Sequence, residues 1–188
     1  MTPQEAVAAV KKRLADLERF RREDVPDIIG AEAVRHYQQS FVNEGATDKS
    51  LKKWDDVKRR DPNSPWYGFS LGSNSAKPER TDESGKKIKS ISKAKATNFS
   101  PTRAQDKILT GETNELKNAT AYVKKSDRVT VRNDKPYARA HNFGEQSYIF
   151  GKKAFNQKAR PFIYPSAVLN KAIYDKVARE MKRQGLIK

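Results

Sequence analysis

Apolar residues near the start of the chain recur every three or four positions, which is the periodicity of an amphipathic helix. The first stripe is Val7, Val10, Leu14 and Leu17, and Thr2-Pro3 ahead of it is a good helix start. Asp24-Val25-Pro26 predicts a break, after which Gly30, Val34, Tyr37 and Phe41 keep the same spacing as far as Asn43-Glu44-Gly45. The pattern predicts a helical hairpin, with a short coiled coil as the alternative for the first helix.

The second half of the chain changes to the alternation of β-strands. Leu116–Lys125 and Arg128–Arg132 are predicted strands, joined at Ser126-Asp127 as an antiparallel hairpin with Val129 and Val131 facing inward. Further strands are expected at Tyr148–Phe150 and Phe162–Tyr164, with a loop between them. The stripe Val168, Leu169, Ala172, Ile173, Val177 and Met181 predicts a last helix that begins at Pro165-Ser166 and ends before Gly185.

The middle of the chain has little periodicity. Its aromatic residues, Trp54, Trp66, Tyr67 and Phe69, are expected to anchor loops on the core, and a subunit interface is the alternative. Residues 70–107 are predicted to be a basic extended loop or arm within a single domain that spans 1–188. The arm carries candidate contacts for nucleic acid or a neighbouring subunit: Lys86, Lys87, Lys89, Lys93 and Lys95.

Composition restricts the possible classes. The 188 residues have a net charge of +16, from 39 Lys and Arg against 23 Asp and Glu, which favours polyanions or acidic protein surfaces as partners. Only 36% of residues are hydrophobic. The absence of cysteine excludes disulfides and thiolate metal sites, and no apolar run approaches membrane-spanning length. Together with the helix and strand patterns, this predicts an α+β fold class: N-terminal helices, a small mainly antiparallel sheet, and a C-terminal helix packed across it.

The search for catalytic chemistry is negative. His36 and His141 are the two histidines; His36 is interpreted as a packing residue, and His141 as structural or interfacial. His141-Asn142 has the start of an HNH nuclease motif, but that chemistry needs further metal-binding histidines. Gly111 lacks the Gly-Lys-Ser/Thr ending of a phosphate loop. We expect no enzyme activity, no cofactor and no metal.

Three short blocks follow one another in the second half: LTGETNEL at Leu109–Leu116, YARAHNFGE at Tyr137–Glu145 and KARPFIYPS at Lys158–Ser166. Their order resembles the phage virion morphogenesis proteins, the tail-completion or neck proteins of Mu-like and lambdoid tailed phages. The positions that carry the resemblance are Gly111, Leu116, Tyr137, His141, Phe143, Gly144, Arg160, Pro161 and Phe162. Within the second block we expect Pro136 at the first helical position, Phe143 buried and Gly144 in a left-handed conformation.

The resemblance implies a structural virion component, located in the neck or tail region and made in the cytoplasm of the bacterial host. It implies a homo-oligomeric ring in the head–tail connector, expected to be a hexamer, with adjacent connector and tail proteins as partners. Packaged DNA is a further candidate partner, and a membrane is not. Two other classes stay open: a sequence-nonspecific, basic DNA-binding protein and a ribosome-associated basic protein.

Overall fold

The computed structural model describes residues 2–69, 84–86, 101–111, 113–125, 128–149 and 153–188. The α+β prediction is confirmed, with a long N-terminal helix, small antiparallel sheets and a C-terminal helix. The chain forms two compact units. The first comprises Met1–Lys53 and Asn118–Lys188, and the second is Trp54–Lys117. No helix in the described part of the chain is both long and apolar enough to cross a membrane.

The helices are α1 (Pro3–Asn43), α2 (Glu115–Asn118), α3 (Ala138–Phe143) and α4 (Ala167–Arg183), with a 3₁₀ helix at Pro101–Gln105. The strands are β1 (Gly45–Thr47), β2 (Leu51–Lys53), β3 (Thr120–Lys124), β4 (Val129–Asn133), β5 (Gln146–Ile149) and β6 (Lys153–Asn156). They form three separate two-stranded antiparallel sheets, each from strands that are consecutive in sequence.

The predicted helical hairpin is wrong, because α1 is a single helix with Pro26 inside it. A proline in a helix interior loses one hydrogen bond and costs about 3 kcal/mol. Buried packing on both sides of Pro26 offsets this cost: Phe20 is buried ahead of it, and Gly30 and Ala33 are buried after it. Asp24 also accepts a hydrogen bond from Gln184 at 2.9 Å, and Asp27 pairs with Lys124 at 2.8 Å. The predicted ends are confirmed: Thr2 caps the first turn, and Glu44 ends the helix in a left-handed conformation.

The hairpin of β3 and β4 packs on α1 at a glycine. A Cβ atom added to Gly30 would lie 2.2 Å from Cδ2 of Tyr122, so the helix and the strand approach more closely than any other residue would allow. Tyr122 pairs with Val131 across the hairpin, and both residues are partly buried. The predicted hairpin and the inward face of β4 are confirmed, and its Ser126-Asp127 turn lies outside the described residues.

Three predicted strand assignments need correction. Leu116 lies in α2 rather than in a strand, because β4 ends at Asn133 opposite Thr120 and leaves no partner ahead of it. Phe162–Tyr164 pairs with no strand among the described residues, because the chain bends at Phe162 and Ile163. The predicted loop between the last two strands contains β6, which pairs with β5 from Gln146 opposite Asn156 to Ile149 opposite Lys153.

The C-terminal helix begins and ends as predicted, with Ser166 as its N-cap and Gly185 at a φ of 68° just beyond its last turn. It packs along α1 rather than across a sheet. Arg13 donates to the carbonyl of Leu186 at 2.9 Å, which fixes the end of the chain to α1. In this unit α1 is therefore the element against which both the β3–β4 hairpin and α4 pack.

The second unit is built around turns. Arg59 and Arg60 both donate to the carbonyl of Asp106, at 3.0 and 2.8 Å, and so join two segments that are distant in sequence. The rings of Trp66 and Phe69 meet edge to face with centroids 5.0 Å apart, and Trp54 is buried. These contacts agree with the interpretation of the aromatic residues as anchors of loops.

Candidate functional site: the junction of the second and third blocks

The second and third sequence blocks meet at the buried side chain of Asn142, which is 6% exposed. Its Oδ1 accepts hydrogen bonds from the backbone N–H groups of Phe162 and Ile163, both at 2.9 Å. Its Nδ2 donates to the carbonyl of Ile163 at 3.1 Å. One side-chain amide therefore satisfies backbone groups of Phe162 and Ile163, where the chain bends, so this segment needs no neighbouring strand.

Backbone contacts around Gly144 complete the junction. Arg160 donates its N–H to the carbonyl of His141 at 2.7 Å, and Gln157 donates to the carbonyl of Glu145 at 3.0 Å. Gly144 has the predicted positive φ, 75°, and a Cβ there would lie 2.7 Å from the backbone nitrogen of Ala159. The glycine is thus required twice, for its backbone conformation and for space. The β5–β6 hairpin leaves and returns through this fixed base.

The third block then docks on α1. Phe162 is 1% exposed, and its ring centroid lies 5.1 Å from that of the fully buried Phe41. The Tyr164 hydroxyl is placed among three polar atoms: Nε2 of His36 at 3.2 Å, Oγ of Ser40 at 3.1 Å and the backbone N–H of Thr47, which donates to it at 2.6 Å. The segment is therefore held both by a contact between two tilted aromatic rings and by a polar network.

The same segment positions the start of α4. The Ser166 hydroxyl accepts from the N–H of Leu169 at 3.1 Å and donates to the carbonyl of Thr47 at 2.8 Å. Asp48 accepts from the N–H of Ala167 at 2.7 Å, so a carboxylate lies at the positive end of the helix. The junction therefore connects α3, α1, the β1 strand and α4 through a run of seven residues, 160–166.

Burial controls the ionisation of the groups at the junction. Desolvation, and then the nearby charge of Arg160, lower the pKa of His141, whose buried Nδ1 has no hydrogen-bond partner among the described residues. Desolvation also lowers the pKa of His36 and raises the pKa of Tyr37. Burial thus favours the neutral form of both histidines.

The remaining residues of the family pattern lie in different surroundings. Tyr137 is 42% exposed and its ring meets that of His141 edge to face at 5.9 Å. Arg160 is buried and Pro161 is partly buried. In the second unit, Gly111 has a φ of 56° and Leu116 is buried.

Two details predicted for the second block are wrong. Phe143 is 68% exposed, because the buried face of α3 carries Ala138 and Asn142, which are four residues apart, and the next position turns away from it. Pro136 precedes the helix, whose N-cap is Tyr137.

The basic residues are distributed unevenly. Lys86 is exposed, whereas Lys87, Lys89, Lys93 and Lys95 lie outside the described residues. In sequence, the excess of positive charge is concentrated after the arm: residues 118–188 contain 16 Lys and Arg against 5 Asp and Glu. Several of these cations are paired, including Lys124 with Asp27 at 2.8 Å and Lys171 with Asp175 at 2.8 Å. Exposed pairs of this kind contribute little stability.

Sequence reasoning missed Asn142 and Gly30. The spacing of four between Ala138 and Asn142 places both on one helix face, which would have been a signal for a buried amide. Gly30 gave no such signal, because its importance depends on Tyr122, which is remote in sequence. In the ranges that the structure describes, no group of His, Cys, Asp and Glu side chains could hold a metal ion.

Comparisons with protein-family models, with curated proteins and with solved structures find no match to this chain.

Proposed function

We propose that the chain is a structural component of a tailed-phage virion, which forms a homo-oligomeric ring in the head–tail connector and joins the head to the tail. Its role is structural rather than catalytic. The ring, expected to contain six copies, contacts adjacent connector and tail proteins, and packaged DNA is a further candidate partner. The site of action is the neck or tail region of the particle, after synthesis in the bacterial cytoplasm.

The observation that carries the proposal is the junction at Asn142. The second and third blocks of the family pattern, which are separated in sequence, are bonded to each other through Asn142 with Phe162 and Ile163, and through His141 with Arg160. The β5–β6 hairpin between the two blocks brings their ends together, so the resemblance falls on segments that form one local unit. A joining protein acts through its shape, so the residues that carry the resemblance are expected to be structural rather than catalytic.

The charge supports contact with anionic neighbours. A positive excess of the size found here attracts phosphate backbones and acidic protein surfaces, and it accelerates association at low salt. In the proposed ring, the long arm at 70–107 and the basic segment 118–188 would provide these contacts.

The decisive experiment is deletion of the gene in the phage that encodes it, followed by electron microscopy of the lysate. Separate full heads and complete tails are expected, and particles should join when the purified protein is added. Immunolabelling should place the chain at the neck. Normal infectious particles from the deletion, or labelling of the capsid shell or the tail fibres, would rule the proposal out.

The arm has its own test. Glutamine in place of Lys86, Lys87, Lys89, Lys93 and Lys95 should leave the melting temperature nearly unchanged, because these substitutions remove charge without removing a core residue. Head–tail joining should fall, and it should fall further as salt screens the remaining contacts. Normal head–tail joining by this variant across a salt series would show that the arm is a passive linker.

The net charge of +16 favours one alternative, a sequence-nonspecific DNA-binding protein. This alternative requires the free subunit to bind duplex DNA without other virion proteins, with an affinity that falls steeply with salt. Binding of that kind, together with a deletion that leaves head–tail joining intact, would replace the connector assignment by the DNA-binding one.

A further inference from the structure

The first turns of α1 expose an apolar stripe. Val7, Val10 and Leu14 are 54%, 69% and 57% exposed, although they lie on one side of a regular helix. Buried residues of α1 begin only at Phe20. The intramolecular packing that holds the rest of the helix therefore does not cover these three side chains.

The first turns extend α1 beyond its buried part. Most helices in proteins are stabilised by packing of an apolar face, and this stripe has no such packing within the described residues. The spacing of Val7, Val10 and Leu14 is the three-and-four alternation of a coiled-coil seam. With Val7 and Leu14 at the first position of the heptad and Val10 at the fourth, the stripe is suited to contact another helix.

The flanking charges select the occupant. With Val7 at heptad position a, Arg13 lies on one side of the seam at position g, and Glu18 lies on the other side at position e of the next heptad. Two parallel copies place Arg13 of each helix next to Glu18 of the other, which gives two attractive pairs. An antiparallel arrangement that buries the whole stripe instead places Arg13 beside Arg13, and Lys11 beside Lys11. Like charges therefore oppose the antiparallel arrangement, whereas opposite charges favour the parallel one.

We propose that the exposed stripe of α1, formed by Val7, Val10 and Leu14, docks in parallel against the same stripe of a second copy of this chain. Arg13 already donates to the carbonyl of Leu186 at 2.9 Å, and its guanidinium has further N–H groups for the partner's Glu18. The pairing is self-complementary and relates two copies by a twofold axis, whereas neighbouring copies of a closed ring meet through unlike surfaces, so this contact goes beyond those that close the proposed ring.

Single-cysteine cross-linking tests the proposal directly, because the chain contains no cysteine. The parallel arrangement brings residue 10 of one copy next to residue 10 of the other, within the Cα separation that a disulfide requires. The full-length V10C variant should therefore form covalent dimers under mild oxidation at least about tenfold faster than A8C, since docking raises the effective concentration of the two thiols. Ala8 is an exposed position on the same helix, outside the seam, and so provides a matched control.

Charge reversal then tests the orientation. In the V10C background, E18K should slow cross-linking, because it places a second positive charge beside Arg13 of the partner subunit. The double reversal R13E/E18K should restore the rate, although it removes the contact of Arg13 with Leu186. Equal rates for V10C and A8C would overturn the proposal, and so would a double reversal that cross-links more slowly than E18K.

A lipid surface is the competing occupant. Vesicles of phosphatidylglycerol and phosphatidylcholine should not sediment the protein through the stripe. Sedimentation that V10S/L14S abolishes and A8S/A15S retains would assign the stripe to a membrane and refute the helix pairing. The proposed function can fail independently of this inference. If cross-linking is fast and depends on charge but the protein is absent from virions, the helix pairing stands and the connector assignment is rejected.

Discussion

Truncation of the buried Asn142 side chain should destabilise the first unit more than truncation of any exposed or half-buried polar residue in that unit. Asn142→Ala removes three hydrogen bonds of 2.9, 2.9 and 3.1 Å at a site that is 6% exposed. A net value of about 1 kcal/mol for each bond, with an added cost for backbone groups left buried without partners, gives a loss of about 2–4 kcal/mol. That is a large fraction of the stability of a typical domain.

The assay should be both local and global. Urea unfolding followed by circular dichroism gives the change in unfolding free energy, and the slope of the transition shows whether the unit still unfolds in one step. Hydrogen exchange of the backbone amides of Phe162 and Ile163 reports the junction itself. Both amides should lose their protection in Asn142→Ala, because the acceptor of both hydrogen bonds is gone.

Two further variants refine this prediction. Asn170→Ala, at an exposed position of α4, controls for loss of an asparagine and should be neutral. Asn142→Asp keeps the accepting oxygen but places a carboxylate against the carbonyl of Ile163, and a protonated carboxyl can again donate there. Its stability relative to wild type should therefore recover as the pH falls. A loss below about 0.5 kcal/mol for Asn142→Ala, with both amides still protected, would refute the assigned role.

Close contacts and burial lead to three other predictions. Gly144→Val should cost over about 1 kcal/mol, measured by thermal unfolding, because φ is 75° and the backbone nitrogen of Ala159 would be 2.7 Å from the new Cβ; a neutral result would mean that the turn rearranges freely. Gly30→Ala should destabilise by about 1–3 kcal/mol despite the better helix propensity of alanine, and Tyr122→Ala in the same chain should relieve most of that effect in a double-mutant cycle. The folded-state pKa of His141 is lowered, so the unfolded chain binds more protons near neutrality, and stability should fall as pH drops from about 7 through the unfolded pKa of about 6.5. His141→Gln should flatten that profile in part, with a residual slope from His36, whose pKa is also lowered; an unchanged profile would contradict the stated environment of His141.

Local signals predicted the parts of the fold that depend on neighbours in sequence. The cap at Thr2, the end of α1 at Glu44 and the start of α4 at Ser166 each have their cause within four residues. The β3–β4 hairpin was also predictable, since alternation and a short turn determine it. Pro26 was misread because a local rule for helix breaking took no account of β3 and α4, which pack on α1 from distant parts of the chain.

The candidate site was only partly predictable from sequence. The left-handed conformation of Gly144 follows from its place after a helical turn, and the burial of Phe162 follows from its apolar run. The predicted strand at Phe162–Tyr164 is wrong because the chain bends at Phe162 and Ile163, where the side-chain amide of Asn142 supplies the hydrogen bonds. An apolar run reports burial, here of Phe162, and it reports neither the backbone geometry nor the group that satisfies the backbone.

A polar clamp at this junction has a consequence that apolar packing would not have. Two successive N–H groups donate to Oδ1 of Asn142 and so fix which residue of the third block faces Phe41. A shift by one residue would move Phe162 out of the core. The β5–β6 hairpin between the blocks is fixed at its base, where the N–H of Gln157 donates to the carbonyl of Glu145 and Gly144 lies against Ala159. The length of the hairpin can therefore change without disturbing the hydrogen bonds of Asn142. The position of the third block on α1 therefore depends on one buried amide as well as on apolar packing.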